Sequence, residues 1–423
     1  MRTSFYFPKK SSRFELKDQK LALEEIKLLT ENASLSDINY LDLGRTSLDD
    51  EGAALLANCS YLKNIETLVL ENNNLGDEGI FLICHSPNLQ SLISLRLSGN
   101  EIGPVGSKAL AVAPGMANLK TLDLSHNRIE SFGAKALGQS EKLINLESLD
   151  LTDTGIGDGG LKSFAESFSG EKLRYLNLSG NDLTFESIET FSQASNLGSI
   201  NVLILDDNCL DDRGIELLSE SPHFSKLEEF RLRRNGLTAD SAIALASSDS
   251  ITNLKKLTIE NNDLRADGIK EFIKTDNIKN IEYLDVSENQ LGPEGVKAIA
   301  SSSRFGNLKQ LILSNNGALD EGAEAIGNSK TLNKLEVLHL DCNNWIEASG
   351  AKALSQSKNL TNLKELTLAL NLIGDEGADY LAKSKNLSNL AYLNVVGNRL
   401  SAIGEAVLSS SDELKSLKNL EYF

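Results

Sequence analysis

The chain has 423 residues, with 60 Asp and Glu against 42 Lys and Arg, and a formal net charge of −18. So acidic a balance argues against nucleic acid as the main partner and against an anionic membrane surface. A length prior of about three domains gives way to a fixed internal period, which one long solenoid can carry.

Residues 1 to about 16 fit no repeat; they carry Phe5, Tyr6, Phe7 and Phe14 among Arg2, Lys9, Lys10 and Arg13. They suit a leader, an export tag or a flap, and lack a signal peptide's apolar core. Residues 17 to about 33 read as a helix, with Leu21, Leu23, Ile26, Leu28 and Leu29 as its apolar set. Residues 1–34 are therefore expected to form a leader and a capping helix.

From residue 35 to 423 one unit recurs, L-x-L-x-x-N-x-L-G-D-E-G-x-x-x-L-A. Its first leucine falls at Leu41, Leu68, Leu95, Leu122, Leu149, Leu176, Leu203, Phe230, Leu257, Leu284, Leu311, Leu338, Leu366, Leu393 and Leu420. Every step is 27 except Leu338 to Leu366, which is 28, giving 14 full repeats and the start of a fifteenth. A period of this size predicts a solenoid, because one unit is too small to bury its own apolar face.

The alternation in L-x-L predicts a short strand with two leucines inward. Five residues after the first leucine stands Asn, from Asn73 to Asn398, with only Thr46 and Thr154 departing. An amide supplies donors and an acceptor to backbone groups leaving a sheet, so this row is expected to be structural. Gly76, Gly157, Thr184, Asp211, Thr238 and Gly292 are expected helix N-caps. Acids follow, as at Asp77, Glu78, Asp212 and Asp375, where they favour the dipole of their own helix. Gly then recurs in 12 of 14 repeats, with Ser187 and Ser241 as exceptions, which predicts close contact between repeats.

The period breaks at Asn343-Asn344-Trp345-Ile346, which holds the extra residue and the only tryptophan. Trp345 is expected to fill the leucine slot; the alternative has it protruding into a binding surface. The last strand, Leu417 to Tyr422, has no capping helix after it and leaves an open edge, so self-association there is expected unless the chain is cut short.

Cys59, Cys84, Cys209 and Cys342 show neither disulfide nor metal spacing, which suits a reducing, cytoplasmic compartment. No segment approaches membrane-spanning length. No phosphate loop or nucleophile elbow occurs, and the four histidines do not make a metal set. His339 and Asp341 are the one pair suited to acid–base chemistry, and on a solvated strand they read as ordinary surface groups. No enzyme activity, cofactor or metal is expected.

These repeats resemble the leucine-rich repeat family, and within it the ribonuclease-inhibitor-like subfamily. The resemblance implies an α/β solenoid, a curved horseshoe with a parallel sheet on the concave face and helices on the convex face. It also implies recognition of a protein partner on that face or its rim. The uniform period is similar to that of bacterial members, which implies an effector acting in a host cell's cytoplasm. The alternative is a small-GTPase regulator resembling Ran GTPase-activating proteins, although no motif of theirs is found here.

Positions one before, one after and three after the first leucine should face the open side of the sheet. The densest basic cluster there is Arg231, Arg233 and, at the rim, Arg234. Tyr175 and Tyr283, two strands away on either side, are expected to frame it. With Trp345 these are the candidate protein-binding residues.

Overall fold

A strand of three residues, centred on the first leucine of each L-x-L, pairs in parallel with the strand one repeat away. The computed structural model describes residues 11–343 and 345–422. Two compact units divide the chain, Met1–Asn208 and Cys209–Phe423.

In the first unit the described strands are β1 (Arg13–Glu15), β2 (Tyr40–Asp42), β3 (Thr67–Val69), β4 (Ser94–Arg96), β5 (Thr121–Asp123), β6 (Ser148–Asp150), β7 (Tyr175–Asn177) and β8 (Val202–Ile204). They pair in chain order. Between them run α1 (Leu23–Thr30), α2 (Asp50–Asn58), α3 (Asp77–His85), α4 (Pro104–Val112), α5 (Glu130–Gly138), α6 (Gly157–Ser167) and α7 (Phe185–Phe191).

The second unit repeats the plan. Its helices are α8 (Asp211–Glu220), α9 (Ala239–Ser247), α10 (Arg265–Phe272), α11 (Gly292–Ser301), α12 (Leu319–Gly327), α13 (Ala348–Ser355), α14 (Gly374–Ala382) and α15 (Ala402–Ser409). Its strands are β9 (Glu229–Arg231), β10 (Lys256–Thr258), β11 (Tyr283–Asp285), β12 (Gln310–Ile312), β13 (Val337–His339), β14 (Glu365–Thr367), β15 (Tyr392–Asn394) and β16 (Asn419–Glu421).

Leucine stands opposite leucine, as in Leu68↔Leu95 and Leu284↔Leu311, except where Phe14 and Phe230 take the position. A one-residue slip would turn both rows outward, so burial fixes the register. Leu68 and Leu70 are fully buried. The core therefore lies between sheet and helices in each unit.

The repeats begin earlier than expected. Arg13–Glu15 pairs with β2, with Phe14 opposite Leu41, and Phe14, Leu16 and Leu21 are buried. Phe14 stands 27 residues before Leu41, in the leucine position. The expected capping helix is thus the helix of a whole repeat, and it starts only at Leu23. Residues 1–10 lie outside the described residues.

The Asn row is a ladder between repeats. Asn73 Oδ1 accepts from Thr46 N at 3.0 Å and Leu48 N at 2.9 Å, in the repeat before it. Its Nδ2 donates to Leu43 O at 2.9 Å and Leu70 O at 3.0 Å. Thr154 keeps part of this pattern, its hydroxyl donating to Leu151 O at 2.7 Å. A second ladder, which the sequence reading missed, runs past the helix ends. There Ser86, Ser329 and Ser384 donate to Ala57 O, Ala300 O and Ser355 O.

The acids of the repeat act across the repeat boundary. Asp77 sits in the first turn of α3, yet its Oδ1 accepts from Gly103 N at 2.7 Å and Gly106 N at 2.8 Å, at the start of α4. Asp50, Asp158, Asp212, Asp320 and Asp375 reach Gly76, Thr184, Thr238, Glu347 and Ser401 in the same way. Each supplies an acceptor to the next helix start, which at Gly76, Gly103 and Glu347 has none of its own and at Thr184, Thr238 and Ser401 adds to a capping hydroxyl. Where the preceding repeat lacks the aspartate, Asp49 caps its own helix through Gly52 N, and elsewhere that position turns left-handed. Glu130, Gly157, Asp211, Arg265, Gly292, Leu319 and Gly374 have φ between 51 and 60°. Gly157, Asp211 and Gly292 therefore do not cap as expected; the cap residues are Ile156, Leu210 and Leu291.

The same carboxylates crowd the recurrent glycine at Gly79, Gly106, Gly350 and Gly404; at Gly133, Gly160 and Gly268 the neighbouring helix crowds it instead. A Cβ on Gly106 would lie 2.6 Å from Asp77 Oδ1. Ser241 occurs at this position because its hydroxyl joins the cap, donating to Asp212 Oδ1 at 2.5 Å. Asp77→Ala should cost about 1–2 kcal/mol, the usual loss for a helix cap. Urea unfolding would read it, and a change within a few tenths of a kcal/mol would contradict the cap.

The caps also set an acid limit. Burial pushes Asp158 and Asp212 up, but hydrogen bonds from Ser187 and Thr184, and from Ser241 and Thr238, outweigh it and hold both below the ordinary 3.8. A depressed folded pKa gives stability that is complete above the unfolded value and lost as pH falls through the folded one. Melting temperature should therefore drop as pH goes below 3.8. Asp212→Asn should make that drop shallower; an unchanged slope would remove Asp212 from the account.

Candidate functional site

Strand alternation places one side chain in two on the open side of each sheet. In the second unit this brings Glu229, Arg231, Lys256, Tyr283 and Asp285 together on β9, β10 and β11. Arg231 Nε donates to Glu229 Oε1 at 2.5 Å, and Lys256 Nζ lies 3.1 Å from the same oxygen. No other carboxylate among the described residues pairs with Arg231, whose side chain is 37% exposed. Lys256 also stands over the Tyr283 ring, 4.8 Å from its centroid. Arg233 Nε is 3.5 Å from Glu260 Oε1.

This is a network of alternating charge with a part-buried floor. Burial and the nearby Asp285 push Tyr283 up to about 12. Burial, Asp285 and Glu288 raise Glu260, against the pull of Arg233 and Arg234. Nothing in it forms a nucleophile–base pair. In it a guanidinium already aligned by one carboxylate has terminal N–H groups for another.

Arg234 is exposed just beyond β9. It occupies the fourth position after the first leucine, where the chain leaves the sheet through one left-handed residue. Arg45, Asn72, His126, Glu288, Cys342 and Leu370 share that position, with φ from 49° at Arg234 to 56° at Arg45. Tyr283 lies two strands from Arg231 within the second unit. Tyr175 belongs to the first unit, where its hydroxyl is 3.4 Å from Asp150 Oδ2 and 3.5 Å from Asn177 Nδ2. Burial raises that Asp150 carboxyl and the hydrogen bonds from Thr152 lower it, with a net upward shift.

Trp345 does not fill the leucine slot. Ile346 does, fully buried, and its carbonyl accepts from Leu372 N at 2.9 Å, as Leu75 O accepts from Glu101 N. The extra residue of the 28-residue repeat is thus absorbed before Ile346. Trp345 is left 65% exposed at φ 93°, and Leu370 in the next repeat is 60% exposed. A bulky residue at such a φ is a genuine outlier. The sequence signal was the insertion itself, which does not say which side of it turns outward.

His339 pairs with Glu365 of the neighbouring strand, Nε2 to Oε1 at 2.7 Å. Asp341, its expected partner, instead accepts from Thr367 Oγ1 at 2.5 Å and Ala369 N at 2.7 Å. All four cysteines are free thiols, and burial raises Cys84 far above its ordinary value. Among the described residues no group of three or more His, Cys, Asp and Glu is placed to hold a metal, and no helix is long and apolar enough to cross a membrane.

Family models described as Leucine Rich repeat match residues 61–84, 88–111, 115–138, 142–165, 277–300, 331–355 and 359–382, and residues 172–194. Among curated proteins none matches the chain. Of solved structures, an internalin (inlF) from Listeria monocytogenes is similar, at 20% identity and a TM-score of 0.56, over 88% of this chain and 94% of that one. The TLR13–ssRNA13 complex matches at 19% identity and a TM-score of 0.46, over 96% of this chain and 64% of that one. At such identity the internalin likeness speaks for fold alone. With its repeats matched at eight places and one sheet-and-helix plan in every described repeat, the chain has the fold of a leucine-rich repeat solenoid.

Proposed function

We propose that the chain is a non-catalytic recognition module that binds a protein on the sheet face and adjoining rim of its second unit. Arg231 is the anchor for a partner carboxylate, and Trp345 is the apolar anchor at the rim. One observation carries the reading. At the one place where the 27-residue period breaks, a tryptophan is held outward on a strained backbone. Backbone strain persists where the surrounding structure enforces it, and it concentrates at functional positions. Tryptophan and arginine are the residues that dominate binding hot spots. The four free thiols suit a reducing compartment.

Trp345→Gly separates the two roles of this residue. Glycine adopts φ 93° without strain, so stability should rise by about 1 kcal/mol. Partner affinity should fall about tenfold with loss of the indole. Thermal melting and titration against the captured partner read the two effects. A destabilised variant that binds normally would mean that Trp345 is only a packing residue.

A further inference from the structure

A cleft of about 1010 Å³ opens on the helix side of the second unit, between α8 and α9. It exists because the chain after α9 reads Ser247-Ser248-Asp249-Ser250, where small side chains leave the space unfilled. Ser248 Oγ donates to Ser219 O at 2.6 Å and ties the two helices at that end.

The walls carry Glu216 and Glu220 from α8, and Asp240 and Asp249 from α9 and its following loop. Among the described residues none of these four pairs with a lysine or arginine. Arg213 is the one basic group lining the cleft. Ile243, 41% exposed, gives it an apolar patch beside Ala244 and Pro222.

An independent feature points the same way. Ser219 lines the cleft, is only 5% exposed, and its Oγ has no hydrogen-bond partner among the described residues. Buried hydroxyls are nearly always paired, so an unpaired one calls for a ligand atom.

We propose that this cleft binds a short basic segment of a partner protein. Lysine or arginine side chains meet the four carboxylates, an aliphatic side chain lies on Ile243, and a backbone carbonyl of the segment accepts from Ser219 Oγ. The volume reaches the upper end of small-ligand pockets, about 300–1,000 Å³, and suits several consecutive side chains. The site lies on the helices, away from the sheet face, and stands or falls apart from the function proposed above.

The test uses the full chain and a fluorescent short peptide of alternating lysine and leucine, followed by anisotropy. An alternating glutamate and leucine peptide is the reversed probe, and spermidine is an unlabelled competitor. The lysine peptide should bind saturably and at least about tenfold tighter than the glutamate peptide. Glu216→Gln with Glu220→Gln should weaken it about tenfold, and Ser219→Ala about threefold. Glu321→Gln with Glu324→Gln on α12, the same charge change elsewhere on the helices, should leave it unchanged. Equal weakening by both double variants would assign the binding to net charge and overturn the site. Spermidine binding as tight as the peptide would also overturn it, since charge alone would then suffice. Melting curves for every variant ensure that lost binding is not lost folding.

Discussion

Asn208→Ala should destabilise the protein by about 3 kcal/mol. Asn208 is 6% exposed and closes five hydrogen bonds within the first unit. Its Oδ1 accepts from Asn181 N and Leu183 N, both at 3.0 Å. Its Nδ2 donates to Leu178 O, Leu205 O and Asp206 O at 3.0–3.1 Å. Alanine strands two buried N–H groups at about 1–3 kcal/mol each. The three carbonyls have lone pairs to spare and lose less, and a water entering the vacated space recovers part of the total. Asn208→Asp distinguishes this account from simple volume loss. It keeps the size and the acceptors, yet faces a carboxylate toward three carbonyls in a buried place. At neutral pH it should cost at least as much as alanine. Urea unfolding reads both, and a near-native Asn208→Asp would show that the ladder does not depend on the amide donor.

Arg231→Glu with Arg233→Glu should reduce partner affinity by at least about 2 kcal/mol, some 30-fold. Glu229 takes the Nε of Arg231, which fixes the guanidinium without occupying its terminal nitrogens. Reversal sets a new carboxylate against Glu229 and Glu260 and repels an acidic partner segment that the arginines would hold. Stability should change little, because these pairs are about one-third exposed and such pairs contribute roughly 0–1 kcal/mol. Circular dichroism and melting check the second point; titration with the partner checks the first. Retained affinity with unchanged folding would remove the cluster from the recognition surface and leave Trp345 as its remaining anchor.

Much of the fold was legible because stacking imposes one period and burial imposes one register. The inward leucines and the asparagines repeat at fixed spacing and have a single physical use. The first repeat was hidden because Phe14 replaces leucine and no Asn follows it five residues on. The aspartates were read as serving their own helices, since an acid in a first turn looks the same whether it faces its own dipole or the next helix. Asp77 contacts residues 26 and 29 positions ahead, a relation visible only once repeats are stacked. The left-handed rim escaped notice because glycine, asparagine, arginine, histidine and leucine all occupy it. Of the candidate site, the arginines were found by charge and Trp345 by the broken period. Their partners Glu229 and Glu260, and the outward turn of the indole, required the register of the strands around them.

Capture from a cell lysate tests the recognition claim most directly, with the unmodified chain and the Arg231→Glu, Arg233→Glu and Trp345→Gly triple variant immobilised side by side. Mass spectrometry identifies what each retains, and melting confirms that both are folded. The account predicts a protein held by the unmodified chain and depleted by at least about tenfold on the triple variant. Identical retention by two folded chains would contradict it.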